Sequence, residues 1–288
     1  MKKVFFSGCG KRRPADVDLP AAAEWNVPVN QGEDRAARGV DERAARTRID
    51  RARWNCYLSF MLLLDFHTHA FPDALAARAM PALEAEGHIK AALDGTLGGL
   101  LDSMDQAGIC ASVLCSIATK PNQFGAILKW SMEIRSERII PFPSVHPADP
   151  LAVQRLGDIH AAGFAGVKLH PYYQEFNVDE ERMFPLYAEA QRLGLLVVCH
   201  TGFDIAFARV RKGDPERIRR VLDFFPGLKF VTTHMGAWED WDEVRRFLLG
   251  RPVLMETSFS LEEMGATAMR EMLMGHPKEY VLFGSDSP

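Results

Sequence analysis

The sequence predicts an α/β fold, a (β/α)8 TIM barrel, over residues 61–288. Three observations predict it. Past residue 60 the chain alternates between short, almost continuously apolar runs rich in Val, Ile, Leu and Phe and longer amphipathic stretches. Eight such runs occur in strict strand-then-helix order. Most of them end in a residue able to bind a metal or to titrate. A doubly wound open sheet is the competing architecture, but it gives no reason for the third observation. No Gly-x-Gly-x-x-Gly follows the first strand either, which weakens a dinucleotide-binding reading.

Residues 1–60 show neither strand alternation nor a sustained amphipathic helix. They hold 12 Lys/Arg against 8 Asp/Glu. The expectation is an irregular or disordered extension rather than a nucleic-acid or membrane-binding arm, because such arms carry denser charge runs. Met61 sits directly before the first strand and reads as a natural start, with residues 1–60 an upstream read-through. Strands are expected at 62–66, 111–117, 139–145, 164–169, 195–199, 229–233, 253–257 and 280–283. Helices are expected at 96–107, 151–161, 180–193, 215–225, 238–249 and 261–274. Gly108, Gly163 and Gly194 follow three of these helices, as a left-handed C-terminal cap requires. The chain stops two residues past Asp286, so no helix follows the eighth strand. The expectation is a truncated product or a barrel with one wall open, whose exposed edge would favour a homo-oligomer.

Composition bounds the function. At 288 residues the chain can bury a large core, and its 47% hydrophobic and 25% charged content with net charge −4 describe an ordinary soluble domain. That charge balance gives no reason to expect a nucleic-acid partner. Five cysteines without a CxxC spacing read as reduced thiols of a cytoplasmic protein. The longest apolar run, 57–64, ends at Asp65 and is far short of the ~18 residues that span a bilayer. The expected partner is therefore a small-molecule substrate, with no membrane.

The strand ends carry the chemistry. In order they read Asp65-Phe-His67-Thr-His69, Ser144-Val-His146, Lys168-Leu-His170-Pro171, Cys199-His200-Thr-Gly202, Thr233-His234-Met-Gly236, Glu256-Thr-Ser258 and Gly284-Ser-Asp286. Side chains two apart on a strand share a face, so His67 and His69 converge as two nitrogen donors. Six of the nine histidines fall at these ends. Active sites of (β/α)8 barrels lie at this face. His88, His160 and His276 fall in helical or loop contexts and read as surface residues. Cys199 alternates away from His200 and is expected to pack against the helices. Phe71, Tyr172, Tyr173, Phe203 and Trp238 lie just past strand ends, where residues either shape a substrate pocket or pack.

These segments, Asp65 to His69, Gly166 to Pro171, His200 to Gly202, His234 to Gly236 and Gly284 to Pro288, resemble the metal-dependent amidohydrolase superfamily, in its amidohydrolase-related branch. The resemblance covers residues 61–288 and none of 1–60. It implies that His67, His69, His200 and Asp286 hold one divalent metal, Zn2+, and that His234 is the acid/base or substrate-polarising residue. Three imidazoles and a carboxylate suit Zn2+. Asp286 would then take the proton of the attacking water and pass it to the leaving group, while His234 holds or protonates the oxyanion. In binuclear members a strand-four lysine is carbamylated and bridges a second metal. Lys168 stands at that position, and its other reading is an unmodified cation that positions substrate or pairs with Asp286 or Glu256. His170, His146, Phe71 and Tyr172 are further expected substrate-binding residues. The reaction implied is hydrolysis of a small amide, lactone or ester. The alternatives are non-oxidative decarboxylation of an unsaturated or aromatic acid, and a truncated inactive metal-binding barrel.

Overall fold

A computed structural model describes residues 62–288. The expectations for residues 1–60 and for Met61 lie outside the described residues. In chain order the elements are β1 (Leu64–Thr68), α1 (Asp73–Gly87), α2 (Leu97–Ala107), β2 (Ala111–Cys115), α3 (Phe124–Ile134), β3 (Ile139–Phe142), α4 (Ala152–Ala161) and β4 (Gly166–Leu169). They continue with α5 (Phe184–Leu193), β5 (Leu196–Cys199), α6 (Pro215–Phe224), β6 (Lys229–Thr232), α7 (Trp241–Phe247), β7 (Leu254–Glu256), α8 (Leu261–Gly275) and β8 (Val281–Leu282). All strand pairs are parallel, and every expected strand is present, most of them a residue or two shorter than the apolar run.

Local chemistry sets the helix limits. The Thr96 hydroxyl accepts from the Gly99 amide and starts α2, and Asp214 does the same for Arg217 at α6, where Pro215 supplies the first turn. Gly108 and Gly194 end α2 and α5 with φ of 70°. α1 and α3 were not among the expected helices. α1 has no side-chain N-cap, carries Pro81 inside, and buries only Ala76, Met80 and Gly87. Its inner side faces a cavity rather than a packed core, which removes the amphipathic signature.

The strands form two sheets, β1–β2–β3 and β4 to β8 in order. Backbone hydrogen bonds join them at both seams, Lys168 N–H to Pro143 O on one side and Phe66 N–H to Phe283 O and Asp286 N–H to His67 O on the other. The ring is closed. The expected open strand edge between β8 and β1 is therefore corrected, because these bonds satisfy the groups an edge would expose.

Phe66, Val113, Phe142, Val198 and Val231 fill the barrel interior. Val197, Cys199 and Phe230 face the other way, into the larger core shared with α4 to α8. Cys199 thus packs outward as expected, and Cys110, Cys115 and Cys199 carry free thiols. Strict alternation would put Phe66 and His67 on opposite faces. The β1–β2 register slips between Asp65 and Thr68, so that one extra residue is accommodated on β1. Asp65 Oδ1 accepts from the His67 amide at 3.1 Å and from the Ser285 amide at 3.0 Å, which stitches that irregularity in place. The slip turns His67 to the barrel mouth beside His69.

Candidate metal centre

Three donors converge above the apolar plug. His67 Nε2 lies 3.1 Å from His69 Nε2 and 3.0 Å from Asp286 Oδ1, and the same oxygen lies 3.1 Å from His69 Nε2. Which ring nitrogen carries a proton follows from the other side of each ring. His67 Nδ1 is 3.1 Å from Glu256 Oε1. Burial alone would raise the Glu256 pKa, but His67 and His234 outweigh it and hold the carboxyl at about 2, so Glu256 accepts and Nδ1 donates. His69 Nδ1 lies 2.7 Å from the Cys115 carbonyl, which can only accept. Both Nε2 atoms therefore present lone pairs to each other and to a carboxylate. Burial lowers the His69 pKa, which favours the neutral ring. Three acceptors facing one another repel, and the Lys168 ammonium, 2.7 Å from His67 Nε2, relieves this at His67 alone. Tetrahedral ligation at 2.0–2.2 Å sets donors about 3.3 Å apart, close to the spacing here, so the set fits a divalent metal.

Lys168, 1% exposed, places Nζ 2.7 Å from His67 Nε2. It pairs with the imidazole, not with Asp286 or Glu256. A second pair of imidazoles adjoins the first group. His234 Nδ1 faces the Ser258 carbonyl at 3.3 Å, and His200 Nε2 faces the Phe203 carbonyl at 3.0 Å. Both carbonyls accept, so His234 Nε2 and His200 Nδ1 are the bare nitrogens, and they lie 3.2 Å apart. Burial pushes both rings down to about 3, keeping them neutral at pH 7. In this state His234 Nε2 accepts. Holding an oxyanion would require it to gain a proton first.

The backbone is arranged around these groups. His234 and Asp286 have φ of 57° and 59°, in the left-handed region that non-glycine residues rarely occupy. Alternation from Thr233 would aim His234 outward, and this twist turns it to the mouth. The His234 amide donates to Glu256 Oε1 at 2.9 Å, so one carboxylate fixes both His67 and His234. Gly202, at φ 89°, is required because a Cβ there would sit 2.1 Å from the Trp238 amide nitrogen.

A third cluster was not foreseen. His170 Nε2 and His200 Nε2 lie 3.3 Å and 3.6 Å from Asp204 Oδ2, and the two rings stack at 4.3 Å between centroids. These donor atoms are close enough to suggest a metal group. His200 Nε2, however, already gives its proton to Phe203 O, so the cluster is a hydrogen-bonded support for His200. Burial opposes ionisation of Asp204, but the two imidazoles outweigh it and hold the acid at about 2. Asp204 sits in the loop after β5 with no strand periodicity to mark it; its only sequence signal is its spacing four residues past His200.

These groups open into a cavity of about 640 Å3 walled by α1, the loop after β2, and the loops after β4, β5, β6 and β7. His67, His69, Lys168, His170, His200, His234, Asp286 and Phe71 line it. His146 and Tyr172 do not, which corrects their expected place. The His146 ring accepts the Ala148 amide within its own loop, and the Tyr172 hydroxyl reaches the Gly202 and Val210 carbonyls at 2.9 and 2.7 Å. Tyr173 and Trp238 take wall positions instead. His88 and His160 are exposed as expected, but His276 is buried, donating to Val253 O at 2.9 Å. Among the described residues, no helix is long and apolar enough to cross a membrane.

Comparison with known proteins places this architecture. The family model described as Amidohydrolase matches residues 64–288. Among solved structures, an uncharacterised TIM-barrel protein (Bb4693) from Bordetella bronchiseptica is 21% identical, with a TM-score of 0.61, covering 77% of this chain and 85% of its own. The 5-carboxyvanillate decarboxylase LigW from Sphingomonas paucimobilis is 15% identical at TM-score 0.56, covering 79% and 89%. A 5-carboxyvanillate decarboxylase from Novosphingobium aromaticivorans, complexed with manganese and 4-hydroxy-3-methoxy-5-nitrobenzoic acid, is 16% identical at TM-score 0.54, covering 78% and 86%. A search of curated proteins finds no match. At these identities the solved structures establish the shared fold, and the family match over residues 64–288 establishes that this chain belongs to the amidohydrolase family of metal-dependent TIM-barrel enzymes.

Proposed function

We propose that this chain is a metal-dependent hydrolase that adds water across the C–N or C–O bond of a small amide, lactone or ester. The observation that carries the proposal is the convergence of the His67 and His69 Nε2 lone pairs on Asp286, with both imidazole protons held outward by Glu256 and the Cys115 carbonyl. One Zn2+ held by His67, His69 and Asp286, with His200 Nδ1, which stands outside that close group, as the fourth ligand, would supply Lewis acidity and bring the pKa of water to about 7. Asp286 accepts the proton lost as water attacks the carbonyl carbon, then delivers it to the nitrogen or oxygen whose bond to carbon breaks. His234 Nε2, the bare nitrogen, accepts a hydrogen bond from the attacking water and orients it toward the carbonyl carbon. Glu256 keeps His67 and His234 in register through the change. The experiment is elemental analysis of the purified protein followed by assay of amides, esters and lactones before and after chelation. Metal-free protein that hydrolyses at the undiminished rate refutes the proposal.

Two observations support narrower alternatives. The decarboxylases that share the fold suggest loss of CO2 from an aromatic acid at the same metal group. Release of CO2 from such acids, without hydrolysis of any amide, ester or lactone, would establish that reading instead. Lys168 is buried against a metal ligand while His200 Nδ1 and His234 Nε2 face each other. An ammonium beside a dication is costly in a buried site, and carbamylation would remove that charge and supply ligands to a second ion. Two metal equivalents per chain would select that arrangement over one.

A further inference from the structure

We infer that the substrate carries a bulky, uncharged and apolar group away from its reacting carbonyl, and that a carboxylate on that group is excluded. The inference rests on the hydrolase reading for the reacting end, and on the cavity alone for the rest. Beyond the polar cluster at its inner end, the cavity is walled by side chains such as Phe71, Leu83, Ile117, Ile127, Trp130 and Phe259. At about 640 Å3 it matches the size of sites that enclose drug-sized ligands. Its charges are one-sided. Among the described residues no arginine lines it, and the one lysine that does, Lys168, sits at the polar inner end against His67. Glu84, Glu86 and Asp204 also line it. An anionic tail would leave water for an apolar wall with Glu84, Glu86 and Asp204 in reach and, among the described residues, no cation beyond the polar inner end, which is costly.

α1 shapes this preference. It supplies Leu83 to the wall, and its C-terminal Gly87 lies against Ile205 of the loop after β5, where a Cβ would sit 3.0 Å from Ile205 Cδ1. The helix therefore spans the cavity from β1 to β5. Leu75, Ile89, Ile205 and Phe259 stay more than a third exposed around that span, an apolar rim that an apolar group would cover on entry.

Two measurements test this. Calorimetric titration of the full chain with 2-naphthol and with 2-naphthalenesulfonate compares a neutral and an anionic ligand of the same ring system. The neutral ligand is expected to bind at least tenfold more tightly, and equal or tighter binding of the sulfonate overturns the inference. In the second, kcat/KM for neutral p-nitrophenyl esters from acetate to octanoate is expected to rise by up to about fourfold per methylene. Esters ending in a carboxylate are expected to fall at least a hundredfold below neutral ones of equal length. A flat series, or equal rates for the charged esters, overturns it. Leu83→Arg, or Ile127→Arg should the first fail to fold, is expected to raise sulfonate affinity at least tenfold. Failure of every ester, amide and lactone to react, with the neutral-ligand preference intact, would refute the hydrolase reading and leave the ligand class standing.

Discussion

Glu256 is the residue on which the two imidazole groups depend. Its Oε1 accepts from His67 Nδ1 and from the His234 amide, while Oε2 accepts from the Ser258 amide at 2.7 Å. Glu256→Gln leaves the side chain in place but allows its amide group to face His67, which frees the His67 tautomer. Metal affinity should fall about 10- to 100-fold, read by competition with a chromogenic chelator. His234→Ala should keep its metal by elemental analysis yet lose about 10²- to 10⁴-fold in kcat; loss of metal would make His234 a ligand. At this scale the sequence was readable wherever period two held: Lys168 and His170, His200, Glu256 and Ser258 all fall on the inner face of their strands. It was misread at His146 and Tyr172, whose polar atoms turn back to their own or neighbouring loops, and Asp204 carried no periodic mark at all.

Among the elements, α1 and the end of α8 show where pattern stops short. α1 borders a cavity and so lacks a core-facing stripe, which hid it from a periodicity reading. His276, just past α8, joins two segments: its Nε2 donates to Val253 O ahead of β7, and its Nδ1 accepts the Gly250 amide at 3.3 Å. His276→Ala should cost about 1–3 kcal/mol in denaturant unfolding, because both backbone groups lose their partner. Burial lowers the His276 pKa, so below its unfolded value of about 6.5 the unfolded chain binds the proton more readily. Its contribution to stability is full above that pH and is lost as pH falls. The stability difference between wild type and His276→Ala should therefore shrink between pH 7 and pH 5, and a difference that grows would contradict this sign.

For the whole molecule, the candidate metal group joins the two ends of the sheet order. His67 lies in β1, His69 just past its end and Asp286 just past β8, so an ion held by them would bridge the same seam that the Phe66–Phe283 and Asp286–His67 backbone bonds close. A ligand at a hundredfold excess over its Kd stabilises the native state by about 2.7 kcal/mol. For a barrel of this size that corresponds to about 5–10 °C in Tm. Chelation should lower Tm by that amount, and an unchanged Tm in metal-loaded protein would show that the ion does not span the seam.

The sequence by itself determined the strand order, the parallel (β/α)8 architecture and the inward residues of the regular strands, because a period of two and an apolar run are local properties of the chain. It also marked Gly108, Gly163 and Gly194 as left-handed caps, and they adopt φ of 70°, 80° and 70°. Only the tertiary structure decided that His67 faces inward at all, since that depends on a register slip against β2 and an Asp65 side chain shared with Ser285. Tertiary structure also decided which nitrogen of each imidazole is bare. That choice is made by acceptors far away in the chain, Glu256 for His67 and Cys115 for His69, and no local pattern encodes it.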